Sequence, residues 1–207
     1  MTASIDLFAY LAAFVSVVLA LAISDLVQSF HRLLRARRKV RWSLTALLAA
    51  LTVFMAILEE FFGLWRLTGV ERFTYFDLLT LIVPAILLSL AAMTVLPDEV
   101  PEQGLDLAEH YMDNRRLLYL LTSLWVLGVF LRLMDLFRLI TGKSVSTFQL
   151  AAMFPWQTIP LLCIYAFLCW SNNMRVQLAG TIVVFLMVNS TIVSRAIDVH
   201  PVVPLAP

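Results

Sequence analysis

The chain has 207 residues, of which 61% are hydrophobic and only 14% charged, with a formal net charge of +1. Soluble domains keep their apolar share nearer half, so the composition excludes an ordinary water-soluble fold, and no nucleic-acid partner is expected. Cys163 and Cys169 lie in one apolar run, about 120° apart around a helix axis. They cannot pair with each other and read as small buried hydrophobes.

Six segments have roughly the ~20 apolar residues that a bilayer crossing needs: 7–30, 43–65, 75–96, 117–140, 148–170 and 176–196. Backbone polar groups cannot stay unpaired in lipid, and the alternation of barrel strands is absent, so each segment is expected to be helical. The predicted fold is an all-α integral membrane protein, a six-transmembrane-helix bundle forming one domain over 1–207. The first segment, preceded by MTASID, lacks a basic leader region and reads as a retained span.

After it comes HRLLRARRKVRW, with Arg32, Arg35, Arg37, Arg38, Lys39 and Arg41. Excess Lys and Arg in short loops marks the cytoplasmic side, so both termini are predicted to be periplasmic. Arg outnumbers Lys thirteen to two, a bias of GC-rich bacterial genomes, and the expected location is the bacterial inner membrane.

The second segment, SLTALLAALTVFMAILEEFFGLWR, carries Glu59 and Glu60 side by side near its far end. Acids at membrane depth are costly and usually face protein or water. The third segment contains Pro84, and Pro155 and Pro160 interrupt the fifth; each removes a backbone donor and favours a bend. Between the third and fourth lies PDEVPEQGLDLAEHYMDNRR, with six acids facing the six bases of the first loop. Pairing of these two loops is expected to close that face; a solvated acidic loop beside a basic one held by anionic headgroups is the alternative. Asp106 and Glu109 have capping-box spacing, so the fourth helix should start near Asp106, ahead of its span.

The fourth segment ends in LRLMDLFRLI, where Arg132, Asp135 and Arg138 recur every three residues and share a face, with Thr122 and Trp125 on the same side. Glu59 lies ~24 Å along its helix from Ser43 and Arg132 ~22 Å along its own from Leu117. A pairing of one glutamate with Arg132 is therefore expected, since adjacent residues diverge by ~100°. Alternation also brings Asp77, Gln157, Asn189, Thr191 and Arg195 to that half. Asp25, with Gln28 and His31 at steps of three, lies near the opposite end of the first segment.

EEFFGLWR resembles the Glu-Glu and Arg signature of the CAAX-type intramembrane proteases. The gap from Glu60 to Arg66 is longer than that family's, and His31, His110 and His200 fall in predicted loops or tails, so no catalytic residue is carried over. The segment MTVLPDEVPEQGLDLAEHYMDNRR resembles one in small polytopic bacterial inner-membrane proteins, which implies membrane location and no activity. No metal site, cofactor or enzymatic activity is expected. The expected function is binding or translocation of a small polar solute, ion or proton through a periplasm-facing cavity formed by Glu59, Glu60, Arg132, Asp135, Arg138 and Arg195. The alternative is a membrane-embedded structural or assembly partner, with the charges as structural ion pairs. Expected partners are the lipid bilayer and a protein docking at loops 31–42 and 97–116.

Overall fold

The computed structural model describes residues 7–64, 75–141 and 158–196, with side chains for these except 7–8, 77, 134–141 and 191–196. Among the described residues there are six helices: α1 (Leu7–Arg35), α2 (Leu44–Gly63), α3 (Tyr75–Val95), α4 (Leu107–Thr141), α5 (Thr158–Trp170) and α6 (Met174–Ala196). Two short strands, β1 (Val40–Arg41) and β2 (Leu105–Asp106), complete them. Helices α1 to α4 are long and apolar enough to cross a membrane; the apolar parts of α5 and α6 among the described residues are shorter. Of the predicted fifth span, 148–157 lies outside the described residues, as do Arg66, Arg72, Lys143, Pro155, Trp65 and Trp156. Pro160 lies within α5 as described from Thr158.

The helices close a ring in the order α1, α3, α4, α5, α6, α2, and α2 also touches α3 and α4 across the interior. Its inward stripe explains this: Ala46, Ala49, Val53, Ala56 and Glu60 are all buried, at alternating steps of three and four. Small side chains let helix backbones approach, which is how packing is gained where lipid is as apolar as protein. Two glycines mark the tightest crossings. A Cβ on Gly128 of α4 would sit 2.8 Å from the Pro84 ring of α3, and one on Gly180 of α6 would sit 2.5 Å from Leu168 of α5. Pro84 lies inside an unbroken α3, its ring seated against Gly128. Ser89 adds a cross-link from α3, donating to its own helix at Ala85 O (3.0 Å) and reaching Val18 O of α1 at 3.4 Å.

The two charged loops do meet, mainly through backbone. Strands β1 and β2 pair in parallel, Val40 with Leu105 and Arg41 with Asp106. Leu105 N donates to Lys39 O at 2.9 Å. Gly104 precedes that bond at φ 99°, where a Cβ would lie 3.0 Å from Lys39 O, so this position requires glycine. Of the expected six-against-six match, two ion pairs form: Arg32–Asp98 at 3.7 Å and Arg41–Asp106 at 3.1 Å. Asp98 also accepts from Ser29 Oγ at 2.9 Å. Asp106 caps α4 through Ala108 N at 2.8 Å, so the fourth helix starts at Leu107, where its spacing placed it.

Most of the large exposed side chains are apolar, from Phe14 and Leu21 on α1 to Phe167 on α5, the outer surface expected of a bundle in lipid. One expectation is corrected: Cys163 is exposed on the outer side of α5, not buried, while Cys169 is partly covered and both thiols are free. Trp170, at the end of α5, is 78% exposed, in keeping with an interfacial anchor.

Candidate functional site

The long helix α4 carries the counterpart of the α2 stripe. Tyr111, Arg115, Leu118, Thr122, Trp125 and Arg132 are buried, and they follow a strict alternation of four and three residues with Val129 filling the missing step. The alternation turns one side of α4 to the bundle interior as a continuous seam. Four of these seven positions carry hydrogen-bonding heads besides Trp125, so polar groups are threaded along a packed seam.

At the end of the seam distant from the ribbon, Glu60 of α2 is 1% exposed and Arg132 of α4 is 9%. The guanidinium grips the carboxylate in a fork, Nη1 on Oε1 and Nη2 on Oε2, the latter at 2.9 Å. Trp125, two turns earlier on the same α4 face, donates its indole Nε1–H to Oε2 at 3.1 Å. A bidentate Arg–carboxylate pair is the strongest form of such an interaction, and the third donor answers a further lone pair of a charge removed from water. Glu59, one residue back, is half-buried on the adjoining face and lies within electrostatic range of Tyr165. The expected glutamate–arginine pair therefore forms, with Glu60 as its member. Asp135 and Arg138 continue α4, and Arg195 and Thr191 continue α6, but their side chains, with that of Asp77 and with Gln157, lie outside the described residues. Asn189 donates to Phe185 O in its own helix at 2.8 Å.

At the ribbon half, sequence reasoning missed a second buried centre. Gln177, three residues into α6 and fully buried, donates one amide hydrogen to Leu168 O near the end of α5 and the other to Ser171 O in the turn just after it, each 2.7 Å. Leu168 O is among the last carbonyls of its helix, which lack a helical partner, so Gln177 caps α5 from outside. Its Oε1 can only accept, so Tyr111 donates to it at 2.8 Å. With that hydrogen committed, Tyr119 must donate to Tyr111 across their 2.6 Å contact, and Thr181, 3.1 Å from Tyr119, is left as the donor to Tyr119 or to Gln177 O, 2.8 Å away. The directions of both phenol hydroxyls follow from the amide at one end. Arg115 braces the same corner, donating to Met112 O and to Asn172 Oδ1 in the turn between α5 and α6. Asn173 starts α6 by accepting from Arg175 N at 3.0 Å.

Between the two centres lies a cavity of about 20 Å³ among α2, α4, α5 and α6, with Thr52, Tyr119, Thr122, Tyr165 and Thr181 in its walls. That is room for one water molecule. The Tyr165 ring stacks obliquely on Tyr119, centroids 5.5 Å apart. Among the described residues no cluster of three metal-ligating side chains exists. No model of a known protein family matches the chain, and neither does any curated protein or solved structure.

On the outer side of α1, polar groups lie where apolar ones are expected. Ser24, Gln28 and His31 are exposed and Asp25 is half-exposed, with Gln28 Nε2 donating to Ser24 Oγ at 3.0 Å. Asp25 has no ion pair among the described residues. It lies seven residues before Arg32, or ~10 Å along the axis. Helix α1 is also the least buried of the four long spans, with 28% of its apolar window covered.

Proposed function

We propose that the protein is a multi-pass component of a bacterial inner membrane that assembles with another membrane protein through the outer face of α1. The observation that supports it is the stripe Ser24, Asp25, Gln28 and His31. Ionisable and amide side chains within a span seldom face lipid, and a hydrogen-bonding patch on the least covered helix is satisfied when a second transmembrane segment lies along it. The partner chemistry that fits is a spanning helix offering a donor or a basic group to Asp25. The paired loops, rich in charge and contiguous with His31, extend the same surface at 31–42 and 97–116. The six-span topology with both termini periplasmic belongs to this reading, resting on the basic turn after α1. The Glu60–Arg132 pair then locks α2 to α4 inside the bundle.

A photo-reactive residue at Gln28 tests the reading in native membranes. One discrete cross-linked protein is expected, recovered in constant ratio with the chain and lost in Asp25→Leu. Cross-links to lipid alone, or a partner retained equally by Asp25→Leu, would overturn it.

The small cavity whose walls include Thr52, Tyr119, Thr122, Tyr165 and Thr181, with Glu59 in electrostatic range of Tyr165, favours a second reading, in which a proton or very small polar solute moves along the α4 seam. Proteoliposomes decide between them: Glu59→Gln should abolish a measurable flux under this reading, and absence of flux from the intact protein removes it.

A further inference from the structure

On the side of α1 away from the polar stripe, a groove of about 300 Å³ lies between α1 and α2. Val27 and Phe30 form one wall, Leu47, Ala50, Leu51 and Phe54 the other, and Leu96 just after α3 contributes to the lining. The lining is almost wholly apolar. Its upper end runs under the turn that joins the two helices, where Trp42 sets its ring edge-on to Phe30, centroids 6.4 Å apart.

That turn holds an excess of positive charge. Arg32 and Arg41 are neutralised by Asp98 and Asp106. Arg35, Arg37, Arg38 and Lys39 are exposed and form no ion pair among the described residues, although Glu99 and Glu102 are exposed on the facing loop. Four unpaired cations at the mouth of an apolar groove, with an interfacial tryptophan between, form an amphiphilic site. Its length axis lies along the membrane normal if α1 and α2 span it.

We propose that this groove is a binding site for an anionic phospholipid, one acyl chain lying between α1 and α2 and the phosphate held by Arg35, Arg37, Arg38 and Lys39. The charge selects the headgroup, since basic residues at a membrane surface attract anionic lipid. The groove selects a chain-bearing ligand over a free anion, because its walls are almost wholly apolar. The site is distinct from the α1 stripe and does not depend on what that stripe binds.

Native mass spectrometry of the full chain in detergent, titrated with phosphatidylglycerol or phosphatidylcholine of the same acyl composition, tests it. A single phosphatidylglycerol should bind at least tenfold more tightly than phosphatidylcholine. Two variants separate the halves of the site. Neutralising the four cations together as Arg35→Gln, Arg37→Gln, Arg38→Gln and Lys39→Gln should erase the headgroup preference. Ala50→Phe, which places a ring in the groove with every cation intact, should weaken phosphatidylglycerol at least tenfold. Equal binding of the two lipids, or unchanged binding by Ala50→Phe, would overturn the proposal, the latter reducing the patch to surface charge alone. Because Ala50→Phe can disturb the fold, the wild-type protein is also labelled with phosphatidylglycerol carrying a photo-reactive group on its acyl chain. Labelling concentrated on Val27, Phe30 and Leu51 supports the site, and labelling spread evenly around the bundle refutes it.

Discussion

The two buried polar centres join helices by opposite means. Glu60 and Arg132 are single groups of opposite charge, one per helix, closed by one fork and one indole. The ribbon-half centre is neutral and distributed, with an amide, two phenols and a threonine joining α4, α5 and α6. A charged pair in a low dielectric concentrates its contribution and fails abruptly when half is removed, because the remaining charge stays buried without its partner. A neutral network loses one hydrogen bond at a time.

The largest expected effect follows from that contrast. Arg132→Met leaves the Glu60 carboxylate with only the Trp125 donor and should destabilise the bundle by about 3–5 kcal/mol, as breaking a buried pair does. The double variant Glu60→Leu with Arg132→Met removes both charges and should recover most of the loss, to within ~1–2 kcal/mol of wild type. Unfolding midpoints in detergent measure both. If single and double variants are equally unstable, the pair is not the unit that holds α2 to α4.

Gln177→Leu comes next. It strips the donor from the α5 carbonyl of Leu168 and from Ser171 O in the turn after it, and the acceptor from Tyr111, and orphaned buried groups cost roughly 1–3 kcal/mol. Hydrogen bonds between membrane helices average nearer ~0.6 kcal/mol, so a total of about 2 kcal/mol is expected, with exchange protection lost first at the end of α5. Tyr119→Phe should cost only about 0.5–1 kcal/mol, since Tyr111 keeps its bond to Gln177. A Tyr119→Phe loss as large as that of Gln177→Leu would mean the network is cooperative and not graded.

How much of this was legible depends on the range of the signal. The first four spans appear in the sequence because apolar length is a local property, and helix α4 starts at Leu107 because Asp106 is a local cap. The Glu60–Arg132 pair was legible as a match of depths, yet the choice of Glu60 over Glu59 required one more local pattern. Ala46, Ala49, Val53 and Ala56 step by three and four and arrive at Glu60, which marks it as the inward member. On α4 the spacing had already placed Thr122 and Trp125 on the side of Arg132, and the alternation from Tyr111 to Arg132 continues that face. Gln177 had no such marker: it follows a tight turn, and Tyr111 stands 66 residues away. Its role comes from α5 ending beside it, which is tertiary information. Cys163 was misread because an apolar run in a membrane helix does not distinguish the core side from the lipid side.

The ribbon supplies the smallest effects and the sharpest control, since Arg41–Asp106 is the same chemical pair as Arg132–Glu60 in a wet place. The Arg41 side chain is 85% exposed and that of Asp106 26%. Exposed pairs are worth about 0–1 kcal/mol, so Arg41→Gln should shift stability by no more than ~0.5 kcal/mol. Asp106→Ala removes the same ion pair and also the cap on Ala108 N, a loss of about 1 kcal/mol for helix N-caps generally. The two ends of one salt bridge should therefore be unequal, with the acid the more sensitive, and raising the salt concentration should reduce the Arg41 effect while leaving most of the Asp106 effect in place. Equal effects that vanish together in salt would show the ribbon to be held by charge, whereas the strand pairing and the capped start of α4 assign that role to the backbone.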